Sequence, residues 1–169
     1  SLNENLVITA NYMGGSISVL PLETSGRLDE NVSTFAFEGE GVLKERQSQP
    51  HLHCVEFTPD GKFLLANDLG TDKIHVFSLK SNGQLDKENT FDVELEPGSG
   101  PRHLCFSKDG RFAYLINELS GKVTTLFYNG QNLTPIQYIE ADTLEARGSA
   151  DIHLSPDGKF LYASNRLKA

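Results

Sequence analysis

The sequence predicts an all-β chain of repeated four-stranded antiparallel sheets, the blades of a β-propeller, and three observations carry that prediction. One turn recurs three times, as Thr58-Pro59-Asp60-Gly61-Lys62-Phe63, Ser107-Lys108-Asp109-Gly110-Arg111-Phe112 and Ser155-Pro156-Asp157-Gly158-Lys159-Phe160, with its glycines 49 and 48 residues apart. Each copy lies between an alternating segment, such as His53-Cys54-Val55-Glu56-Phe57, and a β-rich run that ends in Asn. Two further extended stretches follow before the next copy, which makes four strands in a period of just under about fifty residues, the signature of a blade.

The Asp-Gly turns fix the first two strands of each unit. Asp closes a side-chain-to-backbone turn, and Gly takes a positive φ with no Cβ to clash, so the flanking runs form a hairpin. A third strand is expected at Lys73-Ile74-His75-Val76-Phe77-Ser78-Leu79 and at Lys122-Val123-Thr124-Thr125-Leu126-Phe127-Tyr128. Turns at Ser81-Asn82-Gly83 and Asn129-Gly130 lead to weaker fourth strands, roughly Thr90 to Leu95 and Thr134 to Ala141. The N-terminal segment fits the second half of a unit, with Leu6 to Tyr12 as a second strand and Ser16 to Leu20 as a third. Expected boundaries are therefore a part blade at 1–45, blades at 46–95 and 96–144, and a part blade at 145–169, about three blades in all. A propeller needs at least about four blades to close its channel, so other blades, from a longer chain or a second one, are expected to complete the ring.

Composition excludes several function classes. A net charge of −8 opposes general binding to a nucleic-acid backbone, which takes clustered Lys and Arg. No apolar run approaches the roughly eighteen residues of a membrane span. Cys54 and Cys105 lie seven and five residues before their turn glycines, in different layers, and read as free buried thiols rather than a disulfide. That usage favours a reducing, cytoplasmic compartment, although a chain beginning with Ser leaves a trimmed leader and a periplasmic location open.

Blade geometry turns the polar residues into a map. The start of the first strand and the end of the second meet at one mouth of the channel, opposite the Asp-Gly turns. Eight residues before the turn glycines stand His53, Arg102 and Ala150; after the Asn that ends the second strand stand Asp68, Glu118 and Arg166, with Tyr12 in the first part blade. Slots that change chemistry between repeats suit a functional rim, and His53, Arg102, Glu118 and Arg166 are the candidate site. Asn67, Asn117 and Asn165 read as turn formers, and His51, His103, His153 and Asp151 need a register before they can be oriented. A cation held by Asp68, Asn67, Glu118 and Asn117 is opposed by two arginines in the same mouth, so no metal is expected. No Gly-x-Ser-x-Gly elbow supports a serine nucleophile.

At these residues the chain resembles the lactonase family of seven-bladed propellers, which includes 6-phosphogluconolactonases and fungal carboxy-muconate lactonising enzymes. The resemblance rests on Gly100-Pro101-Arg102-His103, on Asn117-Glu118-Leu119, and on Ala150-Asp151-Ile152-His153-Leu154-Ser155-Pro156-Asp157-Gly158 leading to Leu161-Tyr162-Ala163-Ser164-Asn165-Arg166. It implies hydrolysis of 6-phospho-D-glucono-1,5-lactone, a small anionic sugar lactone, with no cofactor, and its catalytic positions fall on His53, Arg102, Glu118 and Arg166. His53 is the expected general base and Glu118 the alternative, because neighbouring arginines push a carboxylate pKa down. A muconate lactonising enzyme and a non-catalytic binding propeller are the competing readings.

Overall fold

The computed structural model describes residues 6–80, 84–142 and 148–166, with the backbone alone at Lys87. Thirteen strands run in chain order: β1 (Leu6–Asn11), β2 (Ser16–Pro21), β3 (Ser33–Ala36), β4 (Leu52–Phe57), β5 (Phe63–Asp68), β6 (Lys73–Leu79), β7 (Leu85–Glu94), β8 (Pro101–Phe106), β9 (Phe112–Asn117), β10 (Lys122–Tyr128), β11 (Leu133–Glu140), β12 (Ser149–Leu154) and β13 (Leu161–Asn165). They form four antiparallel sheets in sequence order, β1 to β3, β4 to β7, β8 to β11, and β12 with β13. Among the described residues no helix is long and apolar enough to cross a membrane.

The two middle sheets, β4 to β7 and β8 to β11, bury both faces against their neighbours, and that explains the unbroken apolar run of β5. Leu64 and Ala66 pack toward the first sheet with Ile17, Leu52 and Phe77. Leu65, on the opposite face, joins Ile74, Val76, Leu115 and Leu126 between the second and third sheets. Ile116, Val123 and Ile152 carry the packing on to the last sheet. Alternation would have appeared had one face met water; with both faces covered, the strand reads as a continuous hydrophobic stretch. Burying one such side chain contributes about 2 kcal/mol.

The recurring turn is a closed hydrogen-bonded unit. In the first copy the Thr58 hydroxyl donates to Asp60 at 2.7 Å and accepts from the Phe63 amide at 3.1 Å, while the Lys62 amide donates to Asp60. Ser107 with Asp109, and Ser155 with Asp157, repeat the arrangement. Gly61, Gly110 and Gly158 take φ of 68°, 69° and 74°, left-handed backbone that a Cβ would strain.

The structure corrects three expectations and leaves two untested. Strand β7 begins at Leu85 rather than near Thr90, because the hairpin with β6 continues through Leu79–Leu85 and a register shift absorbs the polar residues between. The turn at 81–83 and the boundary at 144/145 lie outside the described residues. Cys54 and Cys105, both free, line one inner trough rather than separate layers. Finally, Asn67, the next-to-last residue of β5, and Asn117, the last of β9, lie within strands and are buried: Asn67 donates to the Arg102 carbonyl, tying two sheets together, whereas Asn117 donates to Lys122 O and Thr124 Oγ1 across its own loop.

Candidate active site

Two features of the ladder place the site. Between β4 and β5, Leu52 pairs Asp68 and Cys54 pairs Asn67, which leaves His53 as an extra residue in a bulge. Arg102 is the extra residue of the next sheet, between the pairs Pro101–Asn117 and His103–Ile116, and a third shift lies between Ser149 and Ile152, around Ala150. A bulge leaves a residue out of the pairing and re-aims its side chain. The slot eight residues before each turn glycine is thus a built projection at the channel mouth.

The second feature overturns an equivalence drawn from the sequence. The amides of Leu69, Glu118 and Arg166 donate to the carbonyls of His51, Gly100 and Gly148, each ten residues before its turn glycine. Glu118 therefore corresponds to Leu69 and Arg166, and Asp68 corresponds to Asn117. Asp68 is wholly buried and holds loop structure, accepting from the amides of His51 and Gly70, from Thr71 Oγ1, and from His75. It is not part of the rim. Among the described residues no group of three or more His, Cys, Asp or Glu side chains is placed to hold a metal.

Around Glu118 the four expected residues converge. Arg102 Nε and Arg166 Nη2 both donate to Glu118 Oε2 at 2.9 Å, and His53 Nε2 lies 3.6 Å from the same oxygen. A fifth residue, absent from the sequence-based site, completes the ring: Arg46 Nη2 donates to Glu118 Oε1 at 2.7 Å. Arg46 sits in the segment between β3 and β4. Its slot, fifteen residues before the turn glycine, holds Leu95 in the next repeat, a change of type that was the available signal.

The three arginines are not alike. Arg102 is 13% exposed and committed, its Nη1 bonded to the Ala150 carbonyl, whereas Arg46 and Arg166 are 46% and 49% exposed. Arg166 is also braced through Nε on the Gly148 carbonyl. Burial alone would raise the Glu118 pKa; the hydrogen bond from Arg46 and the charges of Arg166, Arg46 and His53 outweigh it, and the carboxyl stays below its ordinary value. The group is an anion at any physiological pH.

His53 is driven the other way. Burial, then the Arg102 charge, push its pKa down to about 4, against an opposing contribution from its own backbone and a smaller pull from Glu118. At neutral pH the imidazole is uncharged. Nδ1 is buried with no hydrogen-bond partner among the described residues, so Nε2 is the nitrogen that turns toward Glu118. Around the ring stand Tyr12, edge-on at 5.3 Å, and His103, edge-on at 5.2 Å.

The unoriented histidines are now placed. His51 stacks on Tyr12 at 4.5 Å, with its Nδ1 3.0 Å from the Tyr12 carbonyl. His103 and His153 both donate to Asp151, at 2.9 Å and 2.8 Å. Below them an open trough of about 750 Å³ runs along the inner strands past Cys54, Glu56 and Cys105. Burial raises both thiols to about 11, so neither is a nucleophile at neutral pH.

Sheets packed face to face in sequence order, with their first-strand bulges gathered around one ionised carboxylate, define an arc of a propeller with a base and fixed cations at its mouth. The family description "Lactonase, 7-bladed beta-propeller" matches residues 1–169, and the chain belongs to that family. It is 39% identical to the 6-phosphogluconolactonase of Bacillus subtilis over 166 residues, 95% of this chain and 46% of that protein. With the 6-phosphogluconolactonase of Formosa agariphila it shares 38% over 161 residues, again 46% of the relative's length. Among solved structures it matches a candidate 6-phosphogluconolactonase of Bacteroides fragilis with a TM-score of 0.92 and 52% identity, covering 100% of this chain and 49% of that one. A periplasmic gluconolactonase of Pseudomonas aeruginosa matches at 0.84 and 36%, covering 97% and 48%. The chain spans about half the length of these relatives.

Proposed function

We propose that the complete protein hydrolyses 6-phospho-D-glucono-1,5-lactone to 6-phosphogluconate, a step of the pentose phosphate pathway, at the mouth centred on Glu118. The observation that carries this reading is an uncharged imidazole 3.6 Å from a carboxylate that three arginines keep ionised. With the ring proton on Nδ1, His53 Nε2 takes a proton from a water as the water oxygen attacks the lactone carbonyl. Glu118 stabilises the imidazolium that forms, and Arg166, half open to solvent, faces the oxyanion. The ring C–O bond then breaks, and His53 returns its proton to the leaving alkoxide. Arg102 keeps Glu118 in place and His53 deprotonated. The new carboxyl group then releases its remaining proton to water, and the scheme calls for no cofactor.

Residues 46–95 and 96–144 are taken as two whole blades, and further blades are taken to cover the last sheet, where Phe160 and Tyr162 are 61% and 62% exposed. The compartment we favour is the cytoplasm, on the strength of two free thiols; fractionation that placed the protein in the periplasm would refute it.

The test is His53→Gln in the complete protein, assayed on freshly generated lactone with spontaneous hydrolysis subtracted. Loss of a general base costs about 10²–10⁴ in rate. Full activity in the variant would remove His53 as base.

A further inference from the structure

We infer that Arg46, paired across the mouth with Arg166, is the residue that selects substrates carrying a phosphate dianion. The inference rests on the lactonase reading for the identity of the substrate, but its physical basis is separate. Three guanidinium groups surround a single carboxylate, and the neighbouring His53 is uncharged, so two positive charges are left uncompensated. They stand out on a chain whose net charge is −8. A phosphate monoester carries about −1.5 to −2 at neutral pH, which matches that excess, while an unphosphorylated lactone offers nothing to neutralise it.

Exposure decides which arginines do the reading. Arg102 has its Nε on Glu118, its Nη1 on the Ala150 carbonyl, and little contact with solvent. Arg46 and Arg166 approach Glu118 from its two oxygens, each half exposed. A guanidinium presents five N–H donors in a planar fork, so spending one or two on Glu118 and Tyr12 leaves others for a ligand.

Arg46 is also held in place before any ligand arrives, unlike an ordinary surface arginine. The next residue, Gln47, is fully buried: its Oε1 accepts from the Leu43 amide at 3.0 Å, and its Nε2 donates to the Leu69 carbonyl at 2.9 Å and to Asp72 at 2.8 Å. Asp72 in turn accepts from the amides of Gly98 and Gly100, in the loop leading to β8 and Arg102. The turn Leu43–Gln47 closes on itself through Arg46 N and Gln47 N to the Leu43 carbonyl, both at 2.8 Å. A charged fork on so fixed a backbone loses little freedom on binding, which is where its selectivity originates.

The experiment measures calorimetric binding of 6-phosphogluconate and of gluconate to the complete protein, as wild type, Arg46→Gln and Arg46→Lys, alongside turnover of phosphorylated and unphosphorylated gluconolactone. Removing the fork should lower the phosphorylated-to-unphosphorylated ratio, in affinity and in kcat/KM, by about ten- to a hundred-fold, with Lys restoring part of it. A ratio unchanged within about twofold in Arg46→Gln, whatever the absolute loss, would show that Arg46 only steadies Glu118 and would overturn the inference. The two claims separate cleanly. If phosphate-selective binding depends on Arg46 but no lactone is turned over, the lactonase reading fails and this one holds; if lactones are hydrolysed with a ratio indifferent to Arg46, the reverse is true.

Discussion

In the proposed mechanism His53 is the residue on which the chemistry turns, and its environment makes a pH prediction. With burial and Arg102 holding its pKa at about 4, kcat/KM should be flat through neutrality and fall only as pH drops through about 4, where the base becomes protonated. Arg102→Gln removes one of the three downward pushes, so the acid limb should move up toward the unperturbed imidazole value of about 6.5 while burial and His103 keep it below. A limb near 6.5 in the wild type would contradict the assigned environment. The sequence revealed the slot of His53 and Arg102 because a repeat lays equivalent positions side by side. It could not reveal the bulge that aims them, since a bulge is a property of pairing with the neighbouring strand. Arg46 escaped notice for a related reason: it belongs to a connection between sheets, where no strand period marks which side chain turns inward.

Within the second sheet, the β5–β6 pair carries an ionic cluster that stands apart from the catalytic chemistry. His75 places Nδ1 2.7 Å from Asp92 and Nε2 3.3 Å from Asp68, so both ring nitrogens face acceptors, which favours the protonated ring; Lys73 shares Asp92. Burial works against that charge, but the hydrogen bonds and charges of Asp68 and Asp92 win, and the His75 pKa is raised. A raised folded pKa gives stability that is fully present below the unfolded value of about 6.5 and is lost as pH rises through the folded value. Denaturant unfolding of wild type and His75→Gln should therefore differ most below about pH 6.5, with the difference shrinking at higher pH. A difference that grew with pH would show that His75 folds in neutral. The strands themselves were largely legible: β6 and β10 fall on the expected residues because apolar runs are bracketed by Asn, Asp and Gly. The start of β7 was not, since Asp86 to Asn89 hide its continuation. Asp68 was misaligned with Glu118 because the Asn that ends its strand falls one position earlier relative to the turn glycine than Asn117 does, a distinction that only the ladder reveals.

At the scale of the molecule, four sheets present one ionised carboxylate, one uncharged base and three cations at one end of their stack, while the Asp-Gly turns occupy the other. On the proposed reading, the same separation lets an acidic chain attract an acidic substrate, because three guanidinium groups gather at the mouth around one carboxylate. The most direct measurement is the rate at which the complete protein consumes freshly generated 6-phosphogluconolactone, corrected for spontaneous hydrolysis and set against unphosphorylated gluconolactone. Hydrolysis well above the spontaneous rate, with preference for the phosphorylated lactone, is the predicted result. No acceleration of either lactone would contradict the assignment of this mouth as a lactonase site.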